Sequence, residues 1–264
     1  MSNILIYVDK LDYISDYRKA GVSAFLFGLS DYCVGYNTYD LESIKNVEVS
    51  NKYLLINRVL DCKAIDELKV ILKDISGIKG IVFEDIGLVN VLNDFEGEKI
   101  LFQNHFGTNK DSINFWLDRV DSVFVSNEIT YDEIDYICKN VKKDVVLHLY
   151  GYNQVMYSRR LLLSNWSERF NIEKKSTNVI SDISSAIKFR AMENEYGTVM
   201  YSQNVFNGSR LLGLDNVKYY YVNTTMVDHD VIMDFLTNKE HSDDSEDNGF
   251  LDRETIYKLK GRDK

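Results

Sequence analysis

The sequence predicts an α/β fold: a (β/α)8 barrel of the TIM type, with a small β-hairpin inserted between its seventh and eighth strands. Three observations point there. Eight short apolar runs recur along the 264 residues. They are nearly unbroken in Val, Ile, Leu, Phe and Tyr, as strands buried on both faces must be. Amphipathic segments of helical period separate them. No glycine-rich phosphate turn follows the first run, where Ile6-Tyr7-Val8 leads into Asp9-Lys10-Leu11, so the dinucleotide-binding fingerprint is missing. A doubly wound open sheet shares the same alternation and stands as the alternative.

The strands fall at 3–8, 24–28, 53–57, 80–84, 99–103, 122–126, 145–150 and 218–223. Between the third and fourth, 61–76 puts Ile65, Leu68, Leu72 and Ile75 on one helical face behind Asp61 as N-cap. Residues 111–120 do the same with Ile113, Trp116, Leu117 and Val120. Thr130 answered by Glu133 is a capping box, and Ile134, Ile137 and Cys138 form the stripe behind it. Cys138 therefore reads as a small core residue. The stretch 166–213 is too long for a simple connection. Its two strand-like runs, 187–192 and 198–202, flank a turn and predict the hairpin. Residues 1–238 thus form the barrel with its insertion, 239–249 a flexible acidic linker, and 250–264 a C-terminal segment that docks back through apolar residues near 250 and 255–257.

Composition narrows the function. With 41 acidic and 31 basic residues the net charge is −10, which argues against a general nucleic-acid binder. No apolar run approaches the eighteen or so residues of a membrane span, and the N-terminus lacks the pattern of a signal peptide. Cys33, Cys62 and Cys138 are odd in number and far apart, as in a reducing cytoplasm. Proline is absent altogether, which we read as coding bias; no folding step waits on a native cis-proline. One region runs against the overall charge. From 157 to 191, seven basic residues face three acidic ones, a local +4, and a basic insertion at the barrel mouth would attract an anionic ligand or an RNA backbone. The competing reading is a solvated face.

In a barrel, chemistry gathers at the C-terminal strand ends. Those ends carry Asp9, Ser30, Asn57, Glu84, Asp85, Asn104, His105, Ser126, Glu128, Tyr150 and Gly151. Glu128 and His105, with Tyr157, are the candidate catalytic residues. Asn104, Glu84, Gly151, Ser158, Arg159 and Arg160 are the candidate ligand contacts. Neighbouring barrel strands lie about 4.8 Å apart, so the loops after strands five, six and seven should converge into one polar pocket. Structural roles compete with each assignment. Glu84 and Asp85 could cap the next helix, and Arg159 could pair with Glu128 and merely tie two loops. Metal ligation has little support: His105, His148, His229 and His241 show no ligand spacing and no CxxC exists. No GxSxG elbow marks a serine nucleophile.

The stretch Tyr150-Gly151-Tyr152-Asn153-Gln154-Val155-Met156-Tyr157-Ser158-Arg159-Arg160-Leu161-Leu162-Leu163-Ser164 resembles the signature HGxxCxxYSGxCxLS of peptidase family U32, the collagenase-like peptidases. Ala24-Phe25-Leu26-Phe27-Gly28 resembles the family's second strand. Val82-Phe83-Glu84-Asp85-Ile86-Gly87 resembles its "QDLG" turn, Ser126-Asn127-Glu128-Ile129-Thr130 its "SRELS", Glu195-Tyr196-Gly197-Thr198 its "ExGT" turn, and Thr255-Ile256-Tyr257-Lys258 its terminal segment. Glu128, Gly151, Tyr157, Ser158 and Ser164 keep the pattern. The signature cysteines fall on Gln154 and Leu161, the histidine on Tyr150, and 166–213 contains no cysteine.

The resemblance implies a barrel with an enzyme-like mouth. Family members that carry the cysteine set bind an iron–sulfur cluster through thiolates. This chain lacks those thiolates, so no cofactor is expected. Two function classes follow. One is a peptidase or hydrolase working without cluster or metal on a peptide or anionic small molecule. The other is a non-catalytic relative that binds a small ligand, an RNA or a partner subunit, akin to the branch that hydroxylates RNA bases or quinone precursors.

Overall fold

The computed structural model describes residues 3–103, 105–175, 177–181, 188–238 and 246–253. Its strands, in chain order, are β1 Ile4–Tyr7, β2 Ala24–Leu29, β3 Thr38–Tyr39, β4 Lys52–Ile56, β5 Gly80–Phe83, β6 Glu98–Leu101, β7 Ser122–Val123, β8 Val145–Ser158, β9 Thr177–Ser181, β10 Lys188–Asn194, β11 Gly197–Asn207, β12 Val217–Val222 and β13 Glu246–Asp247. The helices are α1 Ile14–Lys19, α2 Leu41–Asn46, α3 Cys62–Ile71, α4 Leu88–Val91, α5 Lys110–Leu117, α6 Tyr131–Asn140, α7 Leu162–Phe170 and α8 His229–Thr237.

Eight of these strands form the barrel. All neighbours pair in parallel, in the order β1, β2, β4, β5, β6, β7, β8, β12 and back to β1. The β7–β8 seam closes through a parallel bridge between Phe124 and Val146, reinforced by the Val125 amide donating to the Val146 carbonyl at 3.0 Å. A helix follows each barrel strand. The open-sheet alternative is therefore excluded.

The unbroken apolar runs are explained by two cores on alternating residues. Leu5, Tyr7, Leu26, Tyr53, Leu55, Val82, Ile100, Phe124, Val146, Tyr219 and Tyr221 fill the barrel interior. Ile4, Ile6, Phe25, Phe27, Leu54, Ile56, Ile81, Phe83 and Leu147 meet the outer helices. A strand with period-two side chains and no solvent face has no reason to alternate polarity. The helix signals hold as well. Asp61 accepts from the Ala64 amide at 2.9 Å, the Thr130–Glu133 capping box is complete, and Cys138 is fully buried.

The insertion is a larger sheet than the expected hairpin. β8 does not stop at Tyr150. It runs out of the barrel to Ser158 and pairs antiparallel with β11, which pairs with β10, which pairs with β9. Gly151 makes the exit feasible: its φ is +115°, and a Cβ there would lie 2.1 Å from the Asn223 carbonyl oxygen. Glu193 on β10 anchors α7 to this sheet. Its fully buried carboxylate accepts from the amides of Leu163 (2.7 Å) and Ser164 (3.0 Å) and from the hydroxyls of Ser164 (2.5 Å) and Thr198 (2.7 Å), with Lys174 at 3.2 Å.

Glu246–Asp247, which the sequence reading placed in the linker, pairs with β11, and the Leu251 carbonyl accepts from the Tyr131 amide. Asn104, His241, most of the linker and the 255–257 run lie outside the described residues.

Candidate functional site

The C-terminal ends of β4, β5 and β6, with the emerging part of β8, enclose a cavity of about 460 Å³ lined by Val59, Glu84, Asp85, Ile86, Phe102, Gln103, His105, Phe106, Gln154 and Tyr157. Glu84 and Asp85 directly follow β5, and their side chains part ways. Asp85 is structural: it accepts from the Gly87 amide (2.8 Å) and the Leu60 amide (3.1 Å). Glu84 turns into the barrel. Its Oε1 is shielded from solvent and has no hydrogen-bond partner. Burial pushes its carboxyl up to about 8, although the amides of Gln154 and Asn57 favour the charged form. An acid that stays protonated near neutrality at a barrel mouth is equipped to donate a proton.

His105 and Glu128 meet as expected, through Nδ1 and Oε2 at 3.2 Å, and both are partly exposed. The competing Arg159–Glu128 pair is not formed; Glu128 takes His105 instead. A carboxylate facing Nδ1 orients the imidazole ring and leaves Nε2 on the side turned away from it.

Tyr157 lines the cavity with its ring, but its hydroxyl is committed to structure. It accepts from the Val59 amide and donates to the Tyr196 carbonyl, both at 3.4 Å. Gly151, Ser158, Arg159 and Arg160 do not join the cavity. Gly151 serves the strand exit, the Ser158 hydroxyl accepts from the Arg160 amide, and both arginine side chains are exposed. β8 continues to Ser158 as a strand, so these residues are carried past the mouth. Part of the basic charge of the insertion is spent locally: Lys174 on Glu193, and Arg190 over the Tyr152 ring at 4.6 Å.

The structure adds Gln154 and His148. Gln154 occupies a signature-cysteine position, which was its only signal in the sequence; it reaches the cavity beside Glu84, and its Oε1 is shielded and unpartnered. His148 lies below it. Its Nδ1 faces the Asn127 amide at 3.3 Å and its Nε2 the Tyr150 carbonyl at 3.0 Å. Burial lowers its pKa to about 4, so the ring is neutral at pH 7. Two larger grooves flank the loop after β2. Their central polar groups are already engaged: Arg58 lies over Tyr196 at 3.8 Å, and the Tyr196 hydroxyl donates to Asp31 at 2.7 Å.

The residues present do not fit an iron–sulfur cluster. Cys33 is buried and donates to the Leu55 carbonyl, Cys62 is exposed at the start of α3, and Cys138 is buried in α6. Among the described residues no three His, Cys, Asp or Glu gather to hold a metal ion. Protein purified without oxygen is accordingly expected to carry neither stoichiometric iron nor acid-labile sulfide, since Gln154 and Leu161 offer no thiolate; a metal and sulfide assay checks this. No helix among the described residues is long and apolar enough to cross a membrane.

The family model for peptidase family U32 matches residues 39–200. Among solved structures, a U32 peptidase aligns at 12% identity and TM-score 0.46 over 57% of this chain and 69% of its own. A chitinase from Chromobacterium violaceum aligns at 10% identity and TM-score 0.45 over 92% of this chain and 100% of its own. No curated protein matches the sequence. With the family model spanning more than half of the chain, this protein belongs to peptidase family U32.

Proposed function

We propose that the protein is a hydrolase that cleaves an amide bond in a peptide, with Glu84 as general acid and His105, oriented by Glu128, as general base. The observation that carries this reading is the Glu84 carboxyl: shielded, held protonated, and facing a cavity with its Oε1 free of any partner. Water attacks the carbonyl carbon and its proton passes to the imidazole of His105. The C–N bond then breaks as the Glu84 proton goes to the leaving amine, and His105 or solvent restores the proton on Glu84. Neither step requires a metal.

The test is incubation with fluorescein-labelled gelatin and with a mixed peptide library, followed by assay of newly released amines. Failure to release amines with any substrate would overturn the hydrolase reading and favour the non-catalytic, ligand-binding class.

Glu128→Gln separates a catalytic from a structural role for the pair. A solvated pair is worth at most about 1 kcal/mol, so melting should change little. Turnover should fall at least about tenfold, because an imidazole without its carboxylate loses its orientation. A lower melting temperature with unchanged turnover would make Glu128 a loop tie.

A further inference from the structure

The cavity pairs a polar floor with an apolar rim, and the two together describe a substrate. On the floor are two shielded oxygens without partners, Glu84 Oε1 and Gln154 Oε1. The amide oxygen of Gln154 can only accept a hydrogen bond, whereas a protonated carboxyl at Glu84 can donate one. A secondary or primary amide presents the complement: a carbonyl that accepts and an N–H that donates. Burying such oxygens without partners is unfavourable, and a ligand that meets both gains accordingly.

The rim is built from Val59, Ile86 and Phe106, set by the loops that follow β4, β5 and β6. All three are large, apolar and exposed, at 44, 54 and 71%. Three such side chains from three separate loops converging on one opening mark a surface meant to be covered. Glu84 lies beneath them, so the covering group belongs to the residue that presents its amide to the floor.

We infer that the site takes an amide flanked by a bulky apolar side chain, the amide held between Glu84 and Gln154 and the side chain seated on Val59, Ile86 and Phe106. This rests on the hydrolase reading for the meaning of the amide, but the recognition itself is independent of turnover.

The experiment uses the full chain with ¹³C-labelled Ile and Val methyl groups. It is titrated with N-acetyl-L-phenylalaninamide and, separately, with N-acetylglycinamide. The expected result is saturable shifts at the Ile86 and Val59 methyls, with the phenylalanine amide bound at least about tenfold tighter than the glycine amide. Ile86→Ser should erase most of that preference and leave the weak binding of the glycine amide. Gln154→Met should weaken both amides while the methyl spectrum reports an intact fold. Equal binding of the two amides, shifts confined to other methyls, or no shift to the solubility limit would overturn the inference. Selective binding without hydrolysis of any peptide would sink the hydrolase reading and leave the recognition standing. Hydrolysis without preference for an apolar residue would do the reverse.

Discussion

Replacing Glu84 with Gln should lower kcat for peptide hydrolysis by about 10²–10⁴-fold, the usual contribution of a positioned general acid, without unfolding the barrel. Gln has nearly the same shape and cannot supply a proton at any accessible pH. The same variant carries a signature that needs no substrate. Burial holds the folded-state carboxyl at about 8, above its ordinary value of 4.5. Between these values the folded state binds more protons than the unfolded chain, so wild-type stability falls as pH rises from about 4.5 to about 8. Glu84→Gln removes that proton and with it the slope. Melting curves of the two proteins should therefore lie closest near pH 4.5 and separate towards pH 8.5, with the variant gaining relative to wild type. Parallel curves across this range would mean that Glu84 is ionised in the folded protein and unsuited to the role of acid. For wild-type turnover, kcat should decline above about pH 8 as the acid loses its proton.

Glu193→Ala should be the most damaging substitution in the insertion, at about 3 kcal/mol, because it removes a buried carboxylate from the donors gathered on it. For a chain of this size that corresponds to a drop of roughly 6–12 °C in Tm. The carboxylate holds two amides at the start of α7, the Ser164 and Thr198 hydroxyls, and Lys174. Burial alone would raise its pKa, but the hydrogen bonds from Ser164, Thr198 and the Leu163 amide outweigh it, and the value lies below normal. A depressed folded-state pKa stabilises above the unfolded value and is lost as pH falls through the folded one. The variant should thus differ most from wild type at neutral pH and least in acid. Hydrogen exchange at the Leu163 and Ser164 amides locates the damage. Unchanged protection there, with unchanged Tm, would show that other contacts carry α7.

Much of the barrel could be read from local chemistry. The eight apolar runs coincide with the eight barrel strands, and the Thr130–Glu133 box and the Asp61 cap act within one helical turn of themselves. The overrun of β8 could not be read, because its partner β11 lies some forty residues further along the chain and nothing in the polar, half-buried stretch from Gly151 to Ser158 names that partner. Ser158, Arg159 and Arg160 were displaced from the expected pocket for this reason alone, while the Tyr157 ring still lines it. His105 and Glu128 were legible as neighbours, since they end adjacent parallel strands.

The sequence by itself determined the strand and helix order, the two-faced burial of the barrel strands and the missing cysteine ligands, all of which follow from residue type and short-range period. Only the tertiary structure decided which carboxylate keeps a shielded, unpartnered oxygen. Glu84 and Asp85 are adjacent and equally acidic in the sequence. Successive side chains at a strand end point to opposite sides. One reaches backbone amides at the surface and stays an ordinary turn residue, while the other enters a low-dielectric cavity beside Gln154 and keeps its proton.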